Sequence, residues 1–121
     1  MPAPIVHFDI AATELTKQAA FYKDVFGWEV GPGGQFTVPV VSPLSALLRV
    51  EAPQQGPVIE RVIYVGVPDV TATLAVIVAH GGAIVFPRYE AKGVAVLALF
   101  TDPAGNRMGL VEMAGDKPRI P

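Results

Sequence analysis

From Pro4 to Ile10 polar and apolar positions alternate, which predicts a strand with His7 and Asp9 on one face and Phe8 and Ile10 on the other. The period then changes. Leu15, Ala19, Tyr22 and Phe26 recur at helical spacing behind Thr13, a suitable N-cap, and Gly27 supplies the stop. Short strands are expected over 28–30, 36–40 and 44–50, with Gly31-Pro32-Gly33-Gly34 as a turn and Pro39 and Pro43 marking edge or irregular positions. The same order then returns. Ile63 to Val67 reads as a strand, Asp69 as a cap, Val70, Leu74 and Ile77 as a buried helical stripe, and Gly81-Gly82 as its end. Strands near 83–87, 94–101 and 107–112 close the second copy, the last two joined by the tight turn Asp102-Pro103-Ala104-Gly105-Asn106. A β-α-β-β-β unit is therefore written twice. The expectation is an α+β fold of eight strands and two helices, in which two curved mixed sheets enclose a shared pocket and carry one helix each on their outer faces.

Composition narrows this reading. The 121 residues, 51% of them hydrophobic, suffice for one domain with a real core. Repeat one is expected over about 4–50 and repeat two over about 58–113. The Pro- and Gln-containing stretch 51–57 joins them, because neither half alone can close a core. The tail from Ala114 to Pro121 is expected to be loose. Nine basic against eleven acidic residues leave no basic stripe for nucleic acid. No apolar run approaches a membrane span and no basic-then-apolar leader opens the chain, so the expected location is the cytoplasm. Zero cysteines remove disulfides, thiolate metal sites and cysteine nucleophiles together.

Three segments carry a resemblance. Val6-His7-Phe8-Asp9-Ile10, the run Ala20-Phe21-Tyr22-Lys23-Asp24-Val25-Phe26-Gly27-Trp28, and the run from Thr101-Asp102-Pro103-Ala104-Gly105-Asn106 to Leu110-Val111-Glu112 resemble the vicinal oxygen chelate superfamily. That group holds glyoxalase I, bleomycin-resistance proteins and extradiol dioxygenases. The resemblance implies a divalent ion held by side chains on the first and last strands of each repeat. At the matching positions this chain has His7, Leu48, Val62 and Gly109. One imidazole does not hold a catalytic ion against water, and Leu, Val and Gly bring no donor. Glu112 is not an obvious substitute: by alternation it shares a face with Leu110, not with Gly109, unless a bulge intervenes. The expectation is therefore that no metal or other cofactor is bound.

What remains is a set of polar contacts. His7 and Asp9 suit either an acid–base pair or a polar pocket lining, and Tyr64 is the second copy's equivalent of Asp9. Arg49, on the closing strand of repeat one, suits a ligand carboxylate or a solvated strand face. Trp28 reads as core, Gly31–Gly34 lacks nucleotide-loop spacing, His80 sits favourably at a helix end, and Ser42 and Ser45 lack a nucleophile setting. The first functional expectation is a metal-free small-molecule-binding protein using His7, Asp9, Tyr64 and Arg49. The alternative is a metal-dependent glyoxalase- or dioxygenase-like enzyme with His7 as one ligand, and a purely structural interaction module is a third class. The resemblance also implies a homodimer, which would cover the exposed sheet edges.

Overall fold

A computed structural model describes residues 4–49 and 60–121. The elements run α1 (Leu15–Phe26), β1 (Tyr64–Val67), α2 (Val70–Ala79), β2 (Ala83–Ala91), β3 (Ala95–Thr101), β4 (Arg107–Ala114) and β5 (Lys117–Pro118). The four main strands lie in the order β1-β4-β3-β2. β1 pairs in parallel with β4, Tyr64 opposite Gly109, while β2 with β3 and β3 with β4 are antiparallel. Residues 64–114 thus form a β-α-β-β-β unit, and the described residues make an α+β fold with a curved, unclosed mixed sheet.

The second helix forms where capping chemistry and periodicity agree. Asp69 accepts the Ala72 backbone N–H at 2.9 Å, satisfying one of the donors left open at a helix start. Val70, Leu74 and Ile77 are buried as expected, against Val96, Ala98, Phe100, Met108 and Leu110 from the alternate positions of β3 and β4. Each of the larger side chains contributes about 2 kcal/mol, the Ala98 methyl about 0.8 kcal/mol. At the end of α2 the helix meets β3 closely: a Cβ on Gly82 would lie 2.5 Å from the Ile77 side chain and 2.7 Å from the Thr101 carbonyl oxygen.

The first copy departs from expectation. Its helix begins with Glu14, not Thr13, at the cap position, without a side-chain capping bond. Its buried face is Gln18, Phe21 and Tyr22, with Val25 half-buried, whereas Leu15 is 44% exposed. The stripe is rotated because a polar residue is drawn inward. Asp102, buried in the β3–β4 turn, accepts five hydrogen bonds: Gln18 Nε2 at 2.6 Å, Tyr22 Oη at 2.8 Å, Asn106 Nδ2 at 2.8 Å, and the Ala104 and Asn106 backbone N–H groups at 3.1 and 2.9 Å. Gln18 and Asn106 also donate to the Ala11 carbonyl, at 3.1 and 2.8 Å, so the network fixes the chain entering α1. Burial, then the Asp102 carboxylate, pushes the Tyr22 phenol well above its ordinary value, so it stays a donor.

None of the four strands expected in repeat one forms among the described residues. Residues 4–10, 28–30, 36–40 and 44–49 carry no ladder there. A strand needs a paired neighbour, and these segments find none among the described residues; Leu48 stands 99% exposed and Val6 87%. The linker 51–57 lies outside the described residues. The tail, expected loose, is instead held: β5 pairs with Met113 and Ala114, the Arg119 N–H donates to the Glu112 carbonyl at 2.9 Å, and the Gly93 N–H to the Pro121 carbonyl at 2.9 Å.

Two substitutions separate these contributions. Asp69→Ala should cost about 1 kcal/mol, the usual value of a lost cap. Asp102→Ala should cost about 3 kcal/mol or more, because the Tyr22 hydroxyl and Gln18 amide each lose a buried partner. Urea unfolding at neutral pH reads both, and equal midpoints would contradict the ranking.

Candidate functional site

Strand alternation gives the sheet two unlike faces. Val65 and Val67, Val96, Ala98 and Phe100, Met108 and Leu110 turn toward the helices. Tyr64 and Gly66, Leu97 and Leu99, Gly109 and Val111 turn the other way, onto a face that no helix of the described residues covers. Register places Phe86 beside Leu99 and Tyr89 beside Leu97 on that open face.

Tyr64 is positioned by a glycine. It sits opposite Gly109 in the parallel pair, and a Cβ built on Gly109 would run into the Tyr64 ring. The ring lies over the backbone where a side chain at 109 would stand. Next along, a Cβ on Gly66 would lie 2.8 Å from Met113 Sδ, so that side chain likewise covers a glycine. Position 109 is one of the four at which the resemblance calls for a metal-ligating side chain. Here the space belongs to an aromatic ring.

Glu112 does not replace that ligand. The β3–β4 register runs unbroken from Leu97↔Val111 to Thr101↔Arg107, without a bulge, and Glu112 falls on the helix side, 6% exposed. There it accepts the Val70 N–H at 3.1 Å at the start of α2, and pairs with Arg88 Nη2 at 2.9 Å and Arg119 Nε at 3.2 Å. The Arg88 hydrogen bond first, and the Val70 N–H second, hold its carboxyl below the ordinary glutamate range. It ties a helix, a strand and the tail together.

Of the remaining candidates, His7, Asp9 and Arg49 are all exposed. His7 Nε2 and Asp9 Oδ2 are 3.9 Å apart on the N-terminal segment, both largely exposed, a geometry too open for a built acid–base pair. Arg49 is exposed at the end of the first described segment. Trp28 packs into the interior, stacked on Tyr22 at 5.2 Å and on Phe36 at 5.6 Å. A cavity of about 50 Å³ beneath these rings is lined by Ile10, Leu15, Gln18, Tyr22 and Phe36 among others, and by none of His7, Asp9, Tyr64 or Arg49. It has room for a few waters. The open-face partners of Tyr64, namely Phe86, Tyr89, Leu97, Leu99 and Val111, were not singled out by residue chemistry; alternation within the second copy was the available signal.

These residues do not fit the superfamily's metal ion. No group of three or more His, Cys, Asp or Glu side chains among the described residues is arranged to hold one. Of the four family positions, His7 has only Asp9 beside it, Leu48 is solvent-exposed, Val62 has no donor, and Gly109 is covered by Tyr64.

With this fold and site the chain belongs to the glyoxalase/bleomycin resistance protein/dioxygenase superfamily, whose family model matches residues 4–110. Among solved structures it is similar to the hypothetical protein SA1046 from S. aureus, at TM-score 0.59 and 20% identity over 84% of this chain and 88% of that one. It is also similar to a glyoxalase/bleomycin resistance protein/dioxygenase family enzyme from Burkholderia phytofirmans, at TM-score 0.58 and 15% identity over 85% and 93%. Those likenesses are likenesses of fold. The provisionally named glyoxylases CFP32 of Mycobacterium bovis and Mycobacterium tuberculosis are 27% identical over 112 residues, 84% of this chain. The match spans 42% of their length, so the chain corresponds to less than half of those relatives.

The depressed Glu112 carboxyl gives a pH dependence of defined sign. Its contribution to stability is present above the ordinary glutamate value of 4.5 and is lost as pH falls through its lower folded value. Urea midpoints measured from pH 7 downward should fall more steeply below about pH 4.5 in the unaltered protein than in Glu112→Gln. Parallel acid limbs would remove Glu112 from that role.

Proposed function

We propose that this protein is a metal-free small-molecule binder of the glyoxalase/bleomycin resistance type, with Tyr64 as a ligand contact on the open face of the sheet. The observation that supports this most is the Tyr64 ring over Gly109: the position from which a carboxylate would reach an ion carries no side chain. An ion at the family positions would gain one imidazole and give up its water shell. An apolar surface with a few polar groups is instead the ordinary make-up of a small-molecule site. His7, Asp9 and Arg49 are the further polar contacts in this reading, together with repeat one over about 4–50, a linker at 51–57 and repeat two over about 58–113, forming one domain. No helix among the described residues is long and apolar enough to cross a membrane, in keeping with the cytoplasmic setting proposed here.

A homodimer belongs to the same proposal. Val40, Val41, Leu44, Leu47 and Leu48 are all exposed, in a stretch with no charged residue between Glu29 and Arg49. Unpaired apolar segments of this kind are normally covered, and a two-fold copy is the usual cover.

Elemental analysis of dialysed protein should show less than stoichiometric zinc, nickel, iron and manganese, and His7→Ala should leave that content unchanged. Stoichiometric metal that survives dialysis and disappears in His7→Ala would move the protein to the enzyme class. Sedimentation at micromolar concentration should give about twice the 12.8 kDa chain mass; a monomer rejects the dimer.

A further inference from the structure

The open face has a definite chemistry. Of the positions that β1, β3 and β4 present on it, Arg107 alone is charged, and its Nε lies 3.5 Å from Glu60 Oε2 at one end of the sheet. Between that end and Met113 the rows read Tyr64, Gly109, Leu99, Phe86 and Gly66, Val111, Leu97, Tyr89. The aliphatic side chains occupy the middle. Aromatic rings stand on both outer strands: Tyr64 on β1 and, on β2, Phe86 with Tyr89, edge to face at 5.8 Å. Three strand steps separate these walls, roughly 14 Å from backbone to backbone, and the rings lean into that width. Tyr64, Phe86 and Tyr89 are 45%, 44% and 52% exposed, so their ring surfaces are accessible on a face that holds no unpaired charge among these positions.

Over these strand positions a charged ligand would lose water without gaining a counter-ion from them, since the one charge among them, Arg107, is paired with Glu60. A flat, uncharged ring system would lose little water. It would cover Leu97, Leu99 and Val111 and meet aromatic partners at both ends, with the two phenol hydroxyls as polar contacts. We propose that the ligand taken by this face is a neutral aromatic or heteroaromatic molecule, held between Tyr64 and the Phe86–Tyr89 pair. The proposal rests on the small-molecule reading above and names its ligand class.

The test is a fluorescence titration of the full chain with neutral N-phenyl-1-naphthylamine, alongside competition by anionic 2-naphthoate and by neutral, ring-free octanol. The neutral aromatic should saturate at one molecule per chain, with either competitor about tenfold weaker. Tyr64→Ala and Tyr89→Ala should each weaken it about fivefold or more while circular dichroism stays unchanged, and Tyr64→Phe, which keeps the ring, should stay within about twofold. Naphthoate binding as tightly as the neutral probe, or octanol competing equally, overturns the ligand class and leaves small-molecule binding standing. Binding indifferent to Tyr64 and Tyr89 places the probe elsewhere and overturns the proposal. Affinity that falls as protein concentration rises toward the dimer range makes a second copy the occupant of the face, which overturns it too. No binding of any of the three by folded protein, with no small molecule retained in a native mass measurement, removes the binding function together with its class.

Discussion

One buried carboxylate organises the junction between the two halves of this chain. Asp102 lies in the turn between β3 and β4, far in sequence from α1, yet it accepts hydrogen bonds from Gln18 and Tyr22 on that helix. A buried carboxylate with unfilled lone pairs is costly, so five donors around it fix the turn, the helix and the chain entering the helix at once. The aromatic column follows from this. Tyr22, held by its hydroxyl, stacks on Trp28, which stacks on Phe36, while Phe21 meets Phe100 from the sheet. Helix α1 is therefore docked by polar bonds as much as by its apolar face, and the face it buries is the one those bonds select.

That explains which elements were legible in the sequence. Around Asp69, capping, periodicity and the glycine stop all pointed to one helix, and the helix and its buried stripe are there. Around α1 the apolar period alone pointed to Leu15, Ala19 and Tyr22, and it missed Gln18, whose burial depends on a partner 84 residues away. No local pattern carries that information. The strands of repeat one were readable as alternation, but alternation reports a face and not a neighbour; a ladder needs both. The tail was misjudged for a related reason: Arg119 is held by Glu112, and a residue pattern does not show which charge it will meet.

The candidate site divides in the same way. The mismatch at the metal positions was visible residue by residue, and so was the side of β4 on which Glu112 falls. The use made of the freed space was not visible, because the Tyr64–Gly109 pairing depends on parallel register between strands from opposite ends of the repeat. Glu112 illustrates the converse. A carboxylate near a family ligand position invites a catalytic reading, yet its bonds to Val70, Arg88 and Arg119 are those of a structural clasp.

The Tyr64–Gly109 contact also couples two positions in any route by which a carboxylate could be introduced on this strand. Gly109→Glu alone meets the Tyr64 ring, and Tyr64→Ala alone leaves a bare glycine and an emptied wall. Neither change by itself is a step toward an ion site. Only the pair opens the space and fills it with a donor, so the two substitutions should be strongly non-additive. The aromatic wall and the bare strand beneath it are in this sense one feature written at two positions.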